Sequence, residues 1–461
     1  MKPASPRADR RAPLAALARF AFLAGLAALL VPQALALPSF ARQTGQQCAA
    51  CHVGGDWPQL TPWGRIFKLT GYTAGSAFVS KEGFDHVPVG VFGQLGVTWA
   101  KAPDDSQGNP VVTPNGAFRG EQFVGYYGGK IADFAGVFYE YQYGNNYPGW
   151  SGATGVFDAR AVNFYHPGDG ELLVGLDLNN GPSNQDVWNT VPAWAYPFYG
   201  SPIAPGAPAS TMLSTVIGQS GGVGVYALWN RKLYAEISAY RVGTGFWRWA
   251  TIGTAYGTQG GADYLSGYNP YWRFFYNDES GPHNWMIGTF GMVSNVYPNN
   301  LVQTGPTDRY TDYYVDAQYQ YLEDESQWTL RGTWYYERQS FGGSYPQGLS
   351  STPTGNLNGI TISGTYTLRN AWSFSAAYFQ SNGSDNADLY AVTGPTGNVL
   401  SASPNTSGYY LQANWIPTQN LKLQLQYSGF LKFNGLTGNI DGMGRSPADN
   451  NTLWFNVFFA I

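Results

Sequence analysis

Residues 421–427, Leu421-Lys422-Leu423-Gln424-Leu425-Gln426-Tyr427, switch between apolar and polar at every step. A period of two belongs to an extended strand whose two faces meet different surroundings. The pattern recurs along the chain. Leu233, Ala235, Ile237 and Ala239 stand opposite Lys232, Glu236 and Ser238, and Val315, Ala317, Tyr319 and Tyr321 opposite Asp316, Gln318 and Gln320. Trp328, Leu330, Gly332 and Trp334 likewise oppose Thr329, Arg331 and Thr333. About sixteen such runs can be marked, from 88–100 and 118–129 through 131–143, 214–229 and 262–276 to 419–433 and 451–461.

Alternation alone also suits a soluble antiparallel sheet with one wet face. Connection lengths separate the two. Short links, among them Gly129-Lys130, Pro167-Gly168-Asp169, Asn230, Glu323-Asp324-Glu325, Asn370 and Pro417-Thr418, alternate with long Gly-, Pro-, Asn- and Ser-rich ones near 101–117, 180–213, 243–261, 338–355, 381–406 and 434–450. Short periplasmic turns alternating with long external loops mark bacterial outer-membrane barrels. The expected fold is therefore all-β, an antiparallel transmembrane barrel of about sixteen strands over residues 88–461. An even strand count puts both barrel ends on the periplasmic side, so the segment that precedes the first strand is expected at that mouth or folded into the lumen. The last run presents Leu453, Phe455, Val457, Phe459 and Ile461 on one apolar face, like the aromatic-rich final strand of barrel proteins.

Composition agrees. Charged residues are 12% of the chain and aromatic residues 16%, with 59 glycines and 33 tyrosines. Ordinary soluble domains carry roughly 25% charged residues, whereas aromatic girdles belong to membrane barrels. Beyond residue 31 no apolar run is long enough for a spanning helix. Residues 1–36 read as an export signal: Lys2, Arg7, Arg10, Arg11 and Arg19, then an apolar stretch to Val31, then Ala34-Leu35-Ala36 before the expected cut. A twin-arginine reading of Arg10-Arg11 fits its surroundings poorly. Removal of that segment leaves 20 basic and 28 acidic side chains, a net charge of about −8, which argues against nucleic-acid binding.

Cys48-Ala49-Ala50-Cys51-His52 spells C-x-x-C-H with the only two cysteines of the chain. The pattern suits covalent haem attachment, with two thiols to add across the vinyl groups and a histidine to ligate the iron. A disulfide between the two is the plainer alternative in an exported protein. One haem c is thus the expected cofactor, carried by a small segment over residues 37–87. His52 is the expected proximal ligand. Methionine is a common distal ligand, but the first after Met1 is Met212, deep in the expected barrel. His86, just before the first strand, is the distal candidate, with an open or barrel-supplied sixth position as the alternative. His166 and His283 fall in or beside short turns and read as exposed. Arg42, Arg65 and Lys68 are candidates to neutralise the haem propionates or are solvated surface charges. Asp316, Glu236, Arg331 and Lys422, directed to the lumen, either dock the segment or line a wet pore.

Phe40-Ala41-Arg42-Gln43-Thr44-Gly45, the C-x-x-C-H and Leu60-Thr61-Pro62-x-Gly64-Arg65-x-Phe67-Lys68-x-x-Gly71-Tyr72 together resemble the fused outer-membrane monohaem cytochrome–porins, including those associated with Fe(II) oxidation. The likeness covers some 35 residues, and the spacer Val53-Gly54-Gly55-Asp56 departs from the commonest version. It implies a cytochrome plugging the pore, an oxidoreductase activity, an extracellular donor such as Fe(II), and a periplasmic cytochrome or cupredoxin as acceptor. It favours Arg65 among the three cations, because that residue lies in the matching stretch. Outer-membrane lipid is the remaining expected partner. A diffusion porin whose small cytochrome gates its mouth is the alternative from the transport class. An electron exporter of the same architecture is another. The chain shows no nucleophile–base arrangement, phosphate loop or further metal cluster.

Overall fold

The computed structural model describes residues 38–461 except 78, 81–82, 85–86, 147–148, 208, 243–247, 249–264 and 300–302. The expected export signal, 1–36, and the distal candidate His86 lie outside the described residues. Sixteen antiparallel strands close one barrel. In chain order they are β1 (Val89–Ala100), β2 (Phe118–Ala132), β3 (Ala135–Asn146), β4 (Gly149–Tyr165), β5 (Leu172–Asn179), β6 (Gly221–Trp229), β7 (Leu233–Arg241) and β8 (Asn269–Ser280). They continue with β9 (His283–Val296), β10 (Asp308–Leu322), β11 (Ser326–Ser340), β12 (Thr354–Leu368), β13 (Trp372–Gly383), β14 (Thr406–Thr418), β15 (Leu421–Lys432) and β16 (Thr452–Ala460). The ring closes where β16 meets β1, in register from Thr452 opposite Ala100 to Ala460 opposite Phe92.

Burial along these strands is inverted relative to a soluble protein. Ile237 is 65% exposed while its neighbour Glu236 is 1% exposed, and Leu330 is 53% exposed beside Thr329 at 1%. In β15 the lumen receives Lys422, Gln424 and Gln426, while Leu425 and Leu431 face outward. An exterior of exposed Leu, Ile, Val, Phe and Trp around a polar interior is the lipid-facing band of an outer-membrane barrel, and it settles the choice that alternation left open. This is an outer-membrane protein.

Short turns gather at one end of the barrel. Asn230 and Arg231 (φ 48° and 58°) and Arg369 and Asn370 (φ 52° and 51°) form two-residue turns with both residues left-handed, the geometry whose twist matches a hairpin. Short turns mark the periplasmic end, and β1 starts and β16 ends there. Two details differ from the sequence expectation. The turn expected at Gly129-Lys130 lies four residues further on, at Asp133-Phe134. Gly128 and Gly136 are strand positions where a ring or another backbone presses on the wall. A Cβ on Gly128 would sit 2.9 Å from the Phe40 ring, and one on Gly136 would sit 2.3 Å from the Gly71 carbonyl oxygen. The run expected to begin at 214 begins at Gly221, because Met212–Thr215 is a helical turn capped by the Thr211 side chain.

Two inserts fill the lumen. From the periplasmic end come α1 (Ser39–Thr44), α2 (Cys48–Cys51) and α3 (Pro62–Leu69). Helix α1 stops at Gly45, whose φ of 69° lets its N–H return to the Ala41 carbonyl at 2.9 Å. Helix α3 starts with Thr61 as N-cap, accepting from Gly64 N at 3.2 Å, and Pro62 in the first turn. From the opposite end the β5–β6 loop folds inward, so that residues 180–191 are all buried. The sequence reads this stretch as an external loop. Buried charge draws it in: Arg273 of β8 donates to Asp186 (3.1 Å) and, through two nitrogens, to Asp316 (2.5 and 2.9 Å). Arg331 donates to the carbonyls of Asn189 (2.7 Å) and Trp194 (2.9 Å), and Glu236 accepts from Gln185.

Candidate haem site

One helical turn separates Cys48 from Cys51, which sets both side chains on the same side of α2. The turn is closed by the His52 N–H on the Cys48 carbonyl at 2.8 Å. Both thiols are free rather than joined, and burial raises their pKa values, that of Cys51 to about 11. The Cys48 sulfur lies 3.7 Å from the carbonyl of Gln419, in the short turn between β14 and β15. The motif therefore stands near the periplasmic mouth.

After His52 the chain doubles back, with Val53 N–H on the Gln59 carbonyl at 3.0 Å and His52 bridged to Leu60. Gly54 permits the reversal: its φ is 65°, and a Cβ there would lie 2.3 Å from the Thr367 methyl of β12. Helix α3 closes on the motif at Gly64, and Thr61 binds the motif backbone twice, to Cys51 O through its N–H (3.0 Å) and to Ala50 O through its hydroxyl (2.6 Å). Burial pushes the His52 imidazole down to about 4, against the pull of nearby Asp56. The ring is thus neutral at ordinary pH, the form that binds metals. Its Nδ1 is buried without a hydrogen-bond partner, and the imidazole lies beside the Gln59 backbone. A metal-ligating histidine commonly turns its other ring nitrogen to a backbone carbonyl, a carboxylate or water.

Cys48, Cys51 and His52 open on a cavity of about 570 Å³, within the roughly 300–1,000 Å³ of small-molecule and cofactor sites. Phe40, Phe67 and Tyr72 of the N-terminal segment line it, with Phe92, Tyr126, Phe138 and Phe458 of the wall and Trp194, Phe198 and Tyr199 of the infolded loop. Two thiols on one side of a turn, a neutral imidazole and an aromatic chamber fit a haem c. Among the described residues lining this cavity, His52 is the sole histidine and no methionine occurs.

The three cations weighed from sequence all bind groups of the protein. Arg65 turns to the wall, donating to Glu279 (2.6 and 3.0 Å), Gln320 (2.7 Å) and the Leu60 carbonyl (2.8 Å), with its guanidinium 3.7 Å from the Trp188 ring centre. It docks the segment and is not among the cavity's lining residues. Lys68 reaches the cavity, but its amine donates to Asn184 O (2.8 Å), Asp186 O (2.7 Å) and Asn189 Oδ1 (3.0 Å). Burial pulls its pKa down to about 7, yet three acceptors call for all three ammonium hydrogens, which favours the charged form. Arg42 ties the segment to the start of β1 through the carbonyls of Val87 and Val89. Of the four lumen residues, Lys422 docks the segment by pairing with Asp56 at 2.7 Å. Asp316, Glu236 and Arg331 hold the infolded loop. His283 is exposed, its Nδ1 2.7 Å from the Tyr319 hydroxyl, and His166 is exposed in a short turn. Trp57, Asp56 and the aromatic run 194–199 escaped the sequence reading, since none carries a motif. The one signal was Asp56, in the spacer that departs from the related pattern.

No family model matches the chain, and no curated protein matches it. Among solved structures it is similar to the outer membrane channel DcaP of Acinetobacter baumannii, at 12% identity over 84% of this chain and 100% of that one, with a TM-score of 0.46. OmpF of Salmonella typhi in complex with daunomycin (12%, 81% and 97%, 0.44) and an anion-selective porin from Comamonas acidovorans (12%, 81% and 99%, 0.43) are similar to the same degree. The barrel assignment rests on this chain's own strand pairing and lipid-facing exterior.

Proposed function

We propose that this outer-membrane barrel carries one covalent haem c and passes electrons between an extracellular donor, with Fe(II) the candidate, and a periplasmic cytochrome or cupredoxin. In this reading the chain is a fused monohaem cytochrome–porin. The observation that carries it is the aromatic cavity onto which Cys48, Cys51 and His52 all open, inside a lipid-embedded cylinder. Cys48 and Cys51 would hold the porphyrin by thioether bonds, and His52 would ligate the iron; His86 is the candidate for the sixth position. When bound, the haem supplies a one-electron redox centre in a site otherwise lacking one. The protein's own groups give that site apolar walls at Phe40, Phe67, Phe92, Phe138 and Phe458, and burial keeps His52 neutral. Several of the segment's contacts with the wall, at Gln320, Glu279, Thr367, Lys422 and Phe458, lie within a few residues of the periplasmic strand ends. That placement favours exchange with a periplasmic carrier. A donor from outside would have to approach through the loop-walled upper lumen, because the barrel spans hydrocarbon about 30 Å thick.

The test is haem staining of the purified protein. One covalent haem is expected in the native chain and loss of it in Cys48→Ser and Cys51→Ser; equal staining in the variants would defeat the assignment. With the haem in place, Fe(II) is expected to reduce the oxidised protein in stopped-flow mixing.

The barrel itself favours a second reading, a diffusion porin whose N-terminal segment acts as a gate, because cylinders of sixteen strands form aqueous channels. Steady solute conductance of the purified protein in planar bilayers would support it. A closed lumen is expected under the first reading, since the segment and the infolded loop meet inside.

A further inference from the structure

We infer that the buried ion pair between Lys422 and Asp56 is a positioning device through which the barrel wall sets the electrostatic potential at the iron ligated by His52; this rests on the haem reading above. Lys422 is 2% exposed on the lumen face of β15, and its amine meets Asp56 Oδ1 at 2.7 Å. The second carboxylate oxygen accepts from Asn414 of β14 at 2.6 Å. Two neighbouring strands thus grip one carboxylate on the loop that turns back from His52. The ammonium lies 4.4 Å from the centre of the Trp57 ring, which itself lines the cavity. Asp56 and Lys422 are among the charges whose field reaches the His52 imidazole.

A solvated surface pair would be screened, but charges in a low-dielectric interior act over longer distances. The two charges act with opposite signs, so the wall's ammonium offsets the field that the segment's own carboxylate imposes at His52. Removing one leaves the other uncompensated. Lys422→Met leaves a carboxylate, which stabilises the more positive ferric state and lowers the midpoint potential. Asp56→Asn leaves an ammonium, which raises it. Lys422→Arg keeps the pair and leaves the potential near the native value, and the double variant returns towards it.

Covalent haem is quantified first in the native chain; its absence there refutes the haem reading, and this inference falls with it, whereas a haem-loaded protein with unmoved potentials refutes the inference alone. Potentiometric titration of haem-loaded native and variant proteins then decides. Shifts of opposite sign in the two single variants are expected, with the double variant between them. Shifts of the same sign, or none in either at full haem content, overturn the inference. A merely structural pair would disturb both single variants alike. If Lys422→Met fails to assemble, Asp56→Asn and Lys422→Arg still give the comparison: an unmoved potential in Asp56→Asn overturns the inference.

Discussion

Replacing Gly64 by alanine normally strengthens a helix by up to about 1 kcal/mol. Here it is expected to do the reverse. A Cβ at position 64 would stand 2.1 Å from the Cys51 carbonyl oxygen and 2.9 Å from its carbon. Both atoms are backbone, so no side chain can swing aside. Relief to 3.0 Å, below which real Cβ contacts essentially do not occur, requires the helix to retreat by about 0.9 Å. That retreat stretches the 3.0 Å bond from Thr61 N–H to the same oxygen beyond hydrogen-bonding range. The orphaned group costs about 1–3 kcal/mol and overpacking about 1–3 more, leaving a net loss of roughly 1–5 kcal/mol after the helical gain. The loss falls on the docking of α3 against the cysteine motif rather than on the barrel. Limited proteolysis of the detergent-purified protein reads it, because cleavage tracks the opened population when reclosing is fast. Gly64→Ala is expected to be cut within residues 45–75 at least several-fold faster than native, and to carry less covalent haem. Gly332→Ala, where an added Cβ meets nothing within 4 Å, serves as the control. Native cleavage rate and haem content in Gly64→Ala would refute the reasoning.

Arg273→Met strands Asp186 and Asp316 as buried carboxylates, and breaking a buried pair in this way costs about 3–5 kcal/mol; nicking within 180–217 should accelerate, and an unchanged digestion pattern would show that the loop is held by other contacts. In haem-free protein, His52 is held near 4 in the fold against about 6.5 in an unfolded chain. The unfolded form therefore binds more protons between those values, so the segment's docking is fully stable above about pH 6.5 and weakens as pH falls towards 4. Proteolysis of the Cys48→Ser, Cys51→Ser chain should quicken from pH 7 to pH 4.5, and His52→Gln should flatten that dependence.

Strand number and facing were legible because alternation is local: Lys422 and Leu423 declare their opposite surroundings from sequence alone. Gly128 and Gly136 were not legible, since a glycine that admits Phe40 or the Gly71 carbonyl looks the same as one that makes a turn. The inward path of residues 180–217 was hidden for a related reason. Its Gly-, Pro- and Asn-rich composition describes any loop, and the partners that draw it inside, Arg273, Asp316 and Arg331, lie some 80 to 140 residues away. At the candidate site the motif residues announced themselves by spacing. Arg65 did not, because a buried cation and a propionate partner share one sequence signature until Glu279 is seen opposite.

The N-terminal segment and the infolded loop arrive from opposite sides of the membrane and touch in the middle, where Lys68 binds Asn184 and Asp186 and the Asn189 amide binds the Pro58 carbonyl at 2.6 Å. Loop and segment therefore share one set of buried hydrogen bonds, so moving the loop away at Asn184 or Asp186 would leave the Lys68 ammonium short of an acceptor in a place where water cannot easily replace it.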